Sequence, residues 1–94
     1  MIRSKKIRDS ARGQDCTLRL VGVCNFNEET TVLAHIGRNR GMALKCDDTM
    51  AVFSCSSCHA KIDGAERSDL ALDLLRSLEE TQKILFDKGL LNAK

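Results

Sequence analysis

The apolar positions of this 94-residue chain fall into runs of different period, and each run predicts a different element. Thr30-Thr31-Val32-Leu33-Ala34-His35-Ile36 is rich in β-branched and apolar residues, which predicts a strand that Gly37 ends. Thr49-Met50-Ala51-Val52-Phe53-Ser54 predicts a second short strand running into Cys55. From Cys58 the period changes, and residues 58–63 read as a short helix with Gly64 just past its end. The last segment carries the clearest helical pattern. Ser68 suits its cap and Asp69 the positive end of its dipole. Ala71, Leu74, Leu75, Leu78 and Leu85 follow at helical spacing, and Gly89 suits its stop. Residues 1–15 are polar and basic, which predicts an arm or a short irregular segment. Residues 16–30 are broken by Gly22 and Asn25, which mark turns.

This order predicts one small α+β domain over residues 1–94. It divides into a basic N-terminal arm (1–15), a core (16–64) and a C-terminal amphipathic helix (65–94). Such a chain buries a modest share of its surface. It has no Trp, no Tyr and three Phe, so the large aromatic groups that usually dominate a small core are scarce. A metal staple is one remedy. Pairing of two chains through the C-terminal helix, giving a homodimer, is another.

Five cysteines supply the means for the first remedy. Cys55-Ser56-Ser57-Cys58 is a strong two-thiol knuckle, and Cys16 and Cys24 form a looser pair upstream. Together they can present four sulfurs to one tetrahedral Zn2+, a closed shell that stabilises a fold and leaves no open position for substrate. Cys46 is the spare thiol, although it could replace Cys24. No secretion signal or membrane span is visible, so a reducing cytoplasm is expected, where thiols bind metal more often than they form disulfides.

Charge and the two His then change the picture. The first 45 residues carry nine Lys and Arg against four acids, and the remainder six against nine. A basic half is what a phosphate backbone attracts, although a solvated surface has the same composition. Arg38, Arg40 and Lys45 flank the first strand and suit phosphate clamps. His35 ends that strand, where a neutral imidazole can accept a proton from water. His59 and Asp63 are four apart, so a helix places both on one face, within reach of one divalent cation.

These parts resemble the HNH-type, or ββα-metal, endonucleases. More narrowly, the whole chain is similar to the short YbcO family of lambdoid-prophage proteins, which are described as nucleases. The resemblance implies a zinc-stapled ββα-metal domain. Ala34-His35-Ile36 would carry the general base, and Cys55-Ser56-Ser57-Cys58-His59 the junction into the metal-binding helix. His59 and Asp63 would hold a catalytic divalent ion such as Mg2+, and nucleic acid, with DNA preferred, would be the substrate. Two positions depart from the family pattern. Ala34 stands where many relatives have a metal-binding His or Asp, and Asp48 or Thr49 lies nearest the middle Asn.

Two rival readings use the same residues. A non-catalytic zinc module that binds DNA or a protein partner explains the thiols and the basic half. It leaves His35, His59 and Asp63 to coincidence. Cys-x-x-Cys-His is also the attachment signature of a c-type haem, with Met42 or Met50 as the other axial ligand, but that leaves Cys16, Cys24 and Cys46 idle.

Overall fold

Among the described residues, two antiparallel strands and three α-helices make up the fold. A computed structural model describes residues 3–36, 47–64 and 67–91. In chain order these are α1 (Lys5–Ser10), a 3-10 turn (Glu28–Thr30), β1 (Val32–His35), β2 (Ala51–Ser54), α2 (Ser56–Gly64), a second 3-10 turn (Arg67–Leu70) and α3 (Ala71–Asp87).

The two strands form a hairpin in the register Val32 with Ser54, Leu33 with Phe53, Ala34 with Val52 and His35 with Ala51. Both are shorter than the apolar runs predicted. Thr30 closes a 3-10 turn, and residues 48–50 turn the chain ahead of β2. Every side chain of β2 is buried. A fully buried strand must satisfy its second edge as well as its first. Phe53 shows how. Its carbonyl accepts from the Thr17 N–H (2.8 Å) and hydroxyl (3.0 Å). Its N–H donates to Thr81 Oγ1 (3.2 Å) on α3. The Thr17 hydroxyl lies 2.6 Å from that of Ser77 and 2.9 Å from that of Thr81, so three buried hydroxyls close one network.

This network corrects the predicted face of α3. Leu74 and Leu85 are buried as expected, but Ala71 and Leu75 are exposed, and Ser77 and Thr81 take the central buried positions. Hydroxyls belong there because they complete the edge of β2, which leucines cannot do. The start of α3 also differs. Its N-cap position falls on Leu70, with no side-chain hydrogen bond, rather than on Ser68. Its end is as predicted. Gly89 takes φ +77°, its N–H bonds Phe86 O, and Leu90 N–H reaches back to Leu85 O, the paired closure that favours glycine.

The N-terminal segment is a helix rather than an arm. Ser4 caps α1 by accepting from Ile7 N–H. Ile7 and Ala11 then pack with Phe53 and Leu85 in one core cluster. A second cluster contains Leu18, Leu20, Ala34, Val52, Ile62, Leu74 and three of the cysteines. Helix α2 begins two residues earlier than the pattern predicted and includes Gly64. Among the described residues, no helix is long and apolar enough to cross a membrane.

Candidate metal centre and the imidazoles around it

Cys16, Cys24, Cys55 and Cys58 meet where β2 turns into α2, with their sulfurs all within 4.8 Å of one another. The eight-residue separation between the first two is closed by a local fold. Leu18 and Leu20 are buried beneath it. Val23 and Cys24 both donate their N–H to Leu20 O, and Gly22 takes φ +74°. Arg19 sits at φ +44°, which aims its N–H at Cys16 Sγ (3.4 Å). In the second pair, Cys58 N–H points at Cys55 Sγ at the same distance. The two loops are then tied together. Asn25 Nδ2 donates to Ser56 Oγ (3.1 Å) and Ser57 Oγ (3.2 Å) at the start of α2.

The donor set fits a structural metal ion. Tetrahedral zinc with Zn–S bonds of about 2.3 Å places its sulfurs roughly 3.8 Å apart, and Cys55 Sγ lies 3.8 Å from Cys24 Sγ. The thiols are unequal. Burial pushes Cys24 and Cys58 up. Burial also opposes ionisation of Cys55, but the N–H groups of Cys58 and Asn25 outweigh it and bring this thiol down to about 7. Of these three thiols Cys55 is therefore the most readily ionised, and the thiolate is the form that binds metal. The quartet brings Cys16 and Cys24 against the Cys55–Cys58 pair, an arrangement for which haem attachment has no use.

His59 stands one turn beyond Cys55, and its N–H donates to Cys55 O (2.9 Å). Its Nε2 is 3.5 Å from Asp63 Oδ2, and both side chains are 40 % or more exposed. Helix α2 thus places the two on one face. His35 lies at the other end of the hairpin from Cys55, because the register pairs it with Ala51. Its ring is about a quarter open (27 %), and its Nε2 is 2.8 Å from Oδ1 of the fully buried Asp48. Asp48 is the residue that sequence reasoning marked only by its nearness to the family's Asn position. Its partners are 13 and 44 residues away, so no local pattern reports them. Ala34 is buried in the core beside His35 and offers no ligand. Arg38, Arg40, Lys45, Met42 and Cys46 lie outside the described residues.

The fold and site define a small mixed α/β protein with a two-stranded sheet and a four-cysteine cluster able to bind a metal ion. Residues 5–89 match the family described as "Putative nuclease YbcO", and the chain belongs to that family. It is 48 % identical over 59 residues to "Putative nuclease YbcO" of Escherichia coli (strain K12), an alignment covering 61 % of this chain and 62 % of that protein. The figures for "Putative nuclease ybcO" of Enterobacteria phage 82 are the same. The chain thus spans about 62 % of the length of the curated relatives it matches. A solved structure, "Structure of a putative bacteriophage protein from Escherichia coli str. K-12 substr. MG1655", is similar with a TM-score of 0.71 and 36 % identity. That match covers 89 % of this chain and 100 % of the other.

Proposed function

We propose that this protein is a metal-dependent endonuclease of the HNH type that hydrolyses phosphodiester bonds in DNA in the cytoplasm. One observation carries the reading: His59 and Asp63, 3.5 Å apart, stand on the helix that begins at the cysteine cluster, in a chain of the YbcO family. Four thiolates hold a structural Zn2+ at the β2–α2 corner, which fixes α2 against the hairpin. His59 and Asp63 would hold a second, divalent ion. That ion, Mg2+ in this reading, would supply charge stabilisation at a phosphate oxygen. His35 accepts the proton of the attacking water. Arg38, Arg40 and Lys45 hold flanking phosphates. Two chains pair through α3, whose Leu72 and Leu75 are exposed.

A second reading, a zinc module that binds DNA or a protein partner without cleaving, draws on Ala34. Its buried methyl group offers no ligand, so among the described residues this reading gives a catalytic ion His59 and Asp63 alone. Nicking of supercoiled plasmid in Mg2+, Mn2+ or Zn2+ separates the two. Cleavage by the wild type and none by His35→Ala is expected. Cleavage that survives His35→Ala assigns the base elsewhere. Retained DNA binding with no cleavage in any of the three ions overturns the nuclease reading in favour of the module.

A further inference from the structure

Asp48 is a carboxylate with no exposed surface, and both of its oxygens are engaged. Oδ1 meets His35 Nε2 at 2.8 Å. Oδ2 accepts from Ser4 N–H at 2.6 Å and lies 3.5 Å from Arg8 Nε. Ser4 caps α1 and Arg8 lies in its last turn, and α1 is itself fixed by Ile7 and Ala11 in the core. A continuous chain of contacts therefore runs from the packed N-terminal helix, through Asp48, to the imidazole at the end of β1. Burial alone would push this carboxyl up. The hydrogen bonds from His35 and Ser4, with the charge of Arg3, hold it below the usual carboxylate range instead. It is ionised at neutral pH and can only accept.

An acceptor-only partner decides which ring nitrogen carries the proton. Nε2 faces Asp48 and must be the donor, so in the neutral ring Nδ1 keeps its lone pair. We propose that Asp48, locked by Ser4 and Arg8 of the N-terminal helix, is a positioning residue that holds His35 as the Nε2–H tautomer with Nδ1 as its proton-accepting atom. The catalytic sense of this proposal rests on the nuclease reading; the tautomer and its link to α1 do not. Helix α1 and its cap, within the segment expected to be a basic arm, are on this account part of the support of the base.

The test reads the tautomer and the rate separately. Long-range 1H–15N correlation spectra of the metal-loaded protein, at alkaline pH, are compared for wild type, Asp48→Asn, Ser4→Ala and Ser4→Pro. Plasmid nicking is measured on the same samples. The wild type is expected to show a single Nε2–H tautomer at His35. Asp48→Asn is expected to show a mixture, with kcat lower by about 10–100-fold, the range for removing the partner that orients a functional imidazole, and KM unchanged. Ser4→Pro, which deletes the N–H on Oδ2, moves the same way, whereas Ser4→Ala, which keeps it, does not. The two serine variants decide the matter if Asp48→Asn fails to fold. A wild-type ring protonated on Nδ1, or a Ser4→Pro spectrum like that of the wild type, overturns the proposal. Cleavage by Asp48→Asn at the wild-type rate also overturns it. An Nε2–H tautomer in a protein that cleaves nothing overturns the nuclease reading alone.

Discussion

Thr17 holds the carbonyl of Phe53 twice, by its N–H at 2.8 Å and by its hydroxyl at 3.0 Å. The residue before it is Cys16, so the bond that completes the edge of β2 also sets the position of the first metal ligand. Thr17→Val removes the hydroxyl and leaves those of Ser77 and Thr81 without their shared partner. A buried polar group left unsatisfied costs about 1–3 kcal/mol. Urea unfolding of the metal-loaded variant should show a loss of that order, with Thr17→Ser losing less. An unchanged midpoint would show that the network contributes nothing.

Arg76 supports the same loop from α3. Its guanidinium donates to the carbonyls of Thr17 (2.9 Å) and Leu18 (2.7 Å) and to Glu80 (2.6 Å), and Glu80 also receives Arg19 (2.8 Å). Burial pushes the Glu80 carboxyl up, but these two arginines outweigh it and hold it below its ordinary value of 4.5. The folded chain therefore binds fewer protons at this site than the unfolded chain. Its contribution is complete above the unfolded value and is lost as pH falls through the lower folded one. Stability measured from about pH 7 to about pH 3 should fall further for wild type than for Glu80→Gln. Parallel curves would remove Glu80 from the account.

Removal of the metal should unfold much of the chain. Three of the four sulfurs belong to the larger core cluster. Structural zinc can supply roughly 10–16 kcal/mol of apparent binding free energy, against a net stability of about 5–15 kcal/mol for a domain. Chelation, or Cys58→Ser, is expected to abolish the cooperative thermal transition seen by circular dichroism. A variant that melts like the wild type would place the stability elsewhere.

Leu72 is 82 % exposed and Leu75 is 63 % exposed on α3, with Phe86 (48 %) further along it. Pairing of two chains through this helix predicts that the double variant Leu72→Glu, Leu75→Glu stays folded, since exposed substitutions usually change stability by about 0.5 kcal/mol or less. It should sediment as a monomer where the wild type sediments as a dimer. A wild type that is monomeric at every concentration contradicts the pairing.

The hairpin and the helix after it were legible because β-branched runs and the Cys55–Cys58 knuckle are local signals. Helix α1 was not. It offers two apolar residues, Ile7 and Ala11, and forms because Phe53 and Leu85 receive them. Helical spacing puts Ala71 and Leu75 on the buried face of α3, whereas Ser77 and Thr81 are buried there for a partner, Thr17, that lies 60 or more residues away. Asp48 escaped for the same reason: its burial depends on Ser4, 44 residues earlier. Local period sees elements, whereas the pairing of polar groups across the fold becomes visible only once they meet.

The central claim is that the four cysteines form a closed shell, which leaves His59 free to act on the open face of α2. X-ray absorption at the zinc edge of the metal-loaded protein tests this directly. Four sulfur neighbours at about 2.3 Å, the tetrahedral zinc–thiolate distance, are expected, with no nitrogen. An imidazole nitrogen replacing one sulfur would mean that a histidine belongs to the staple, and the division between structural metal and reactive pocket would be wrong.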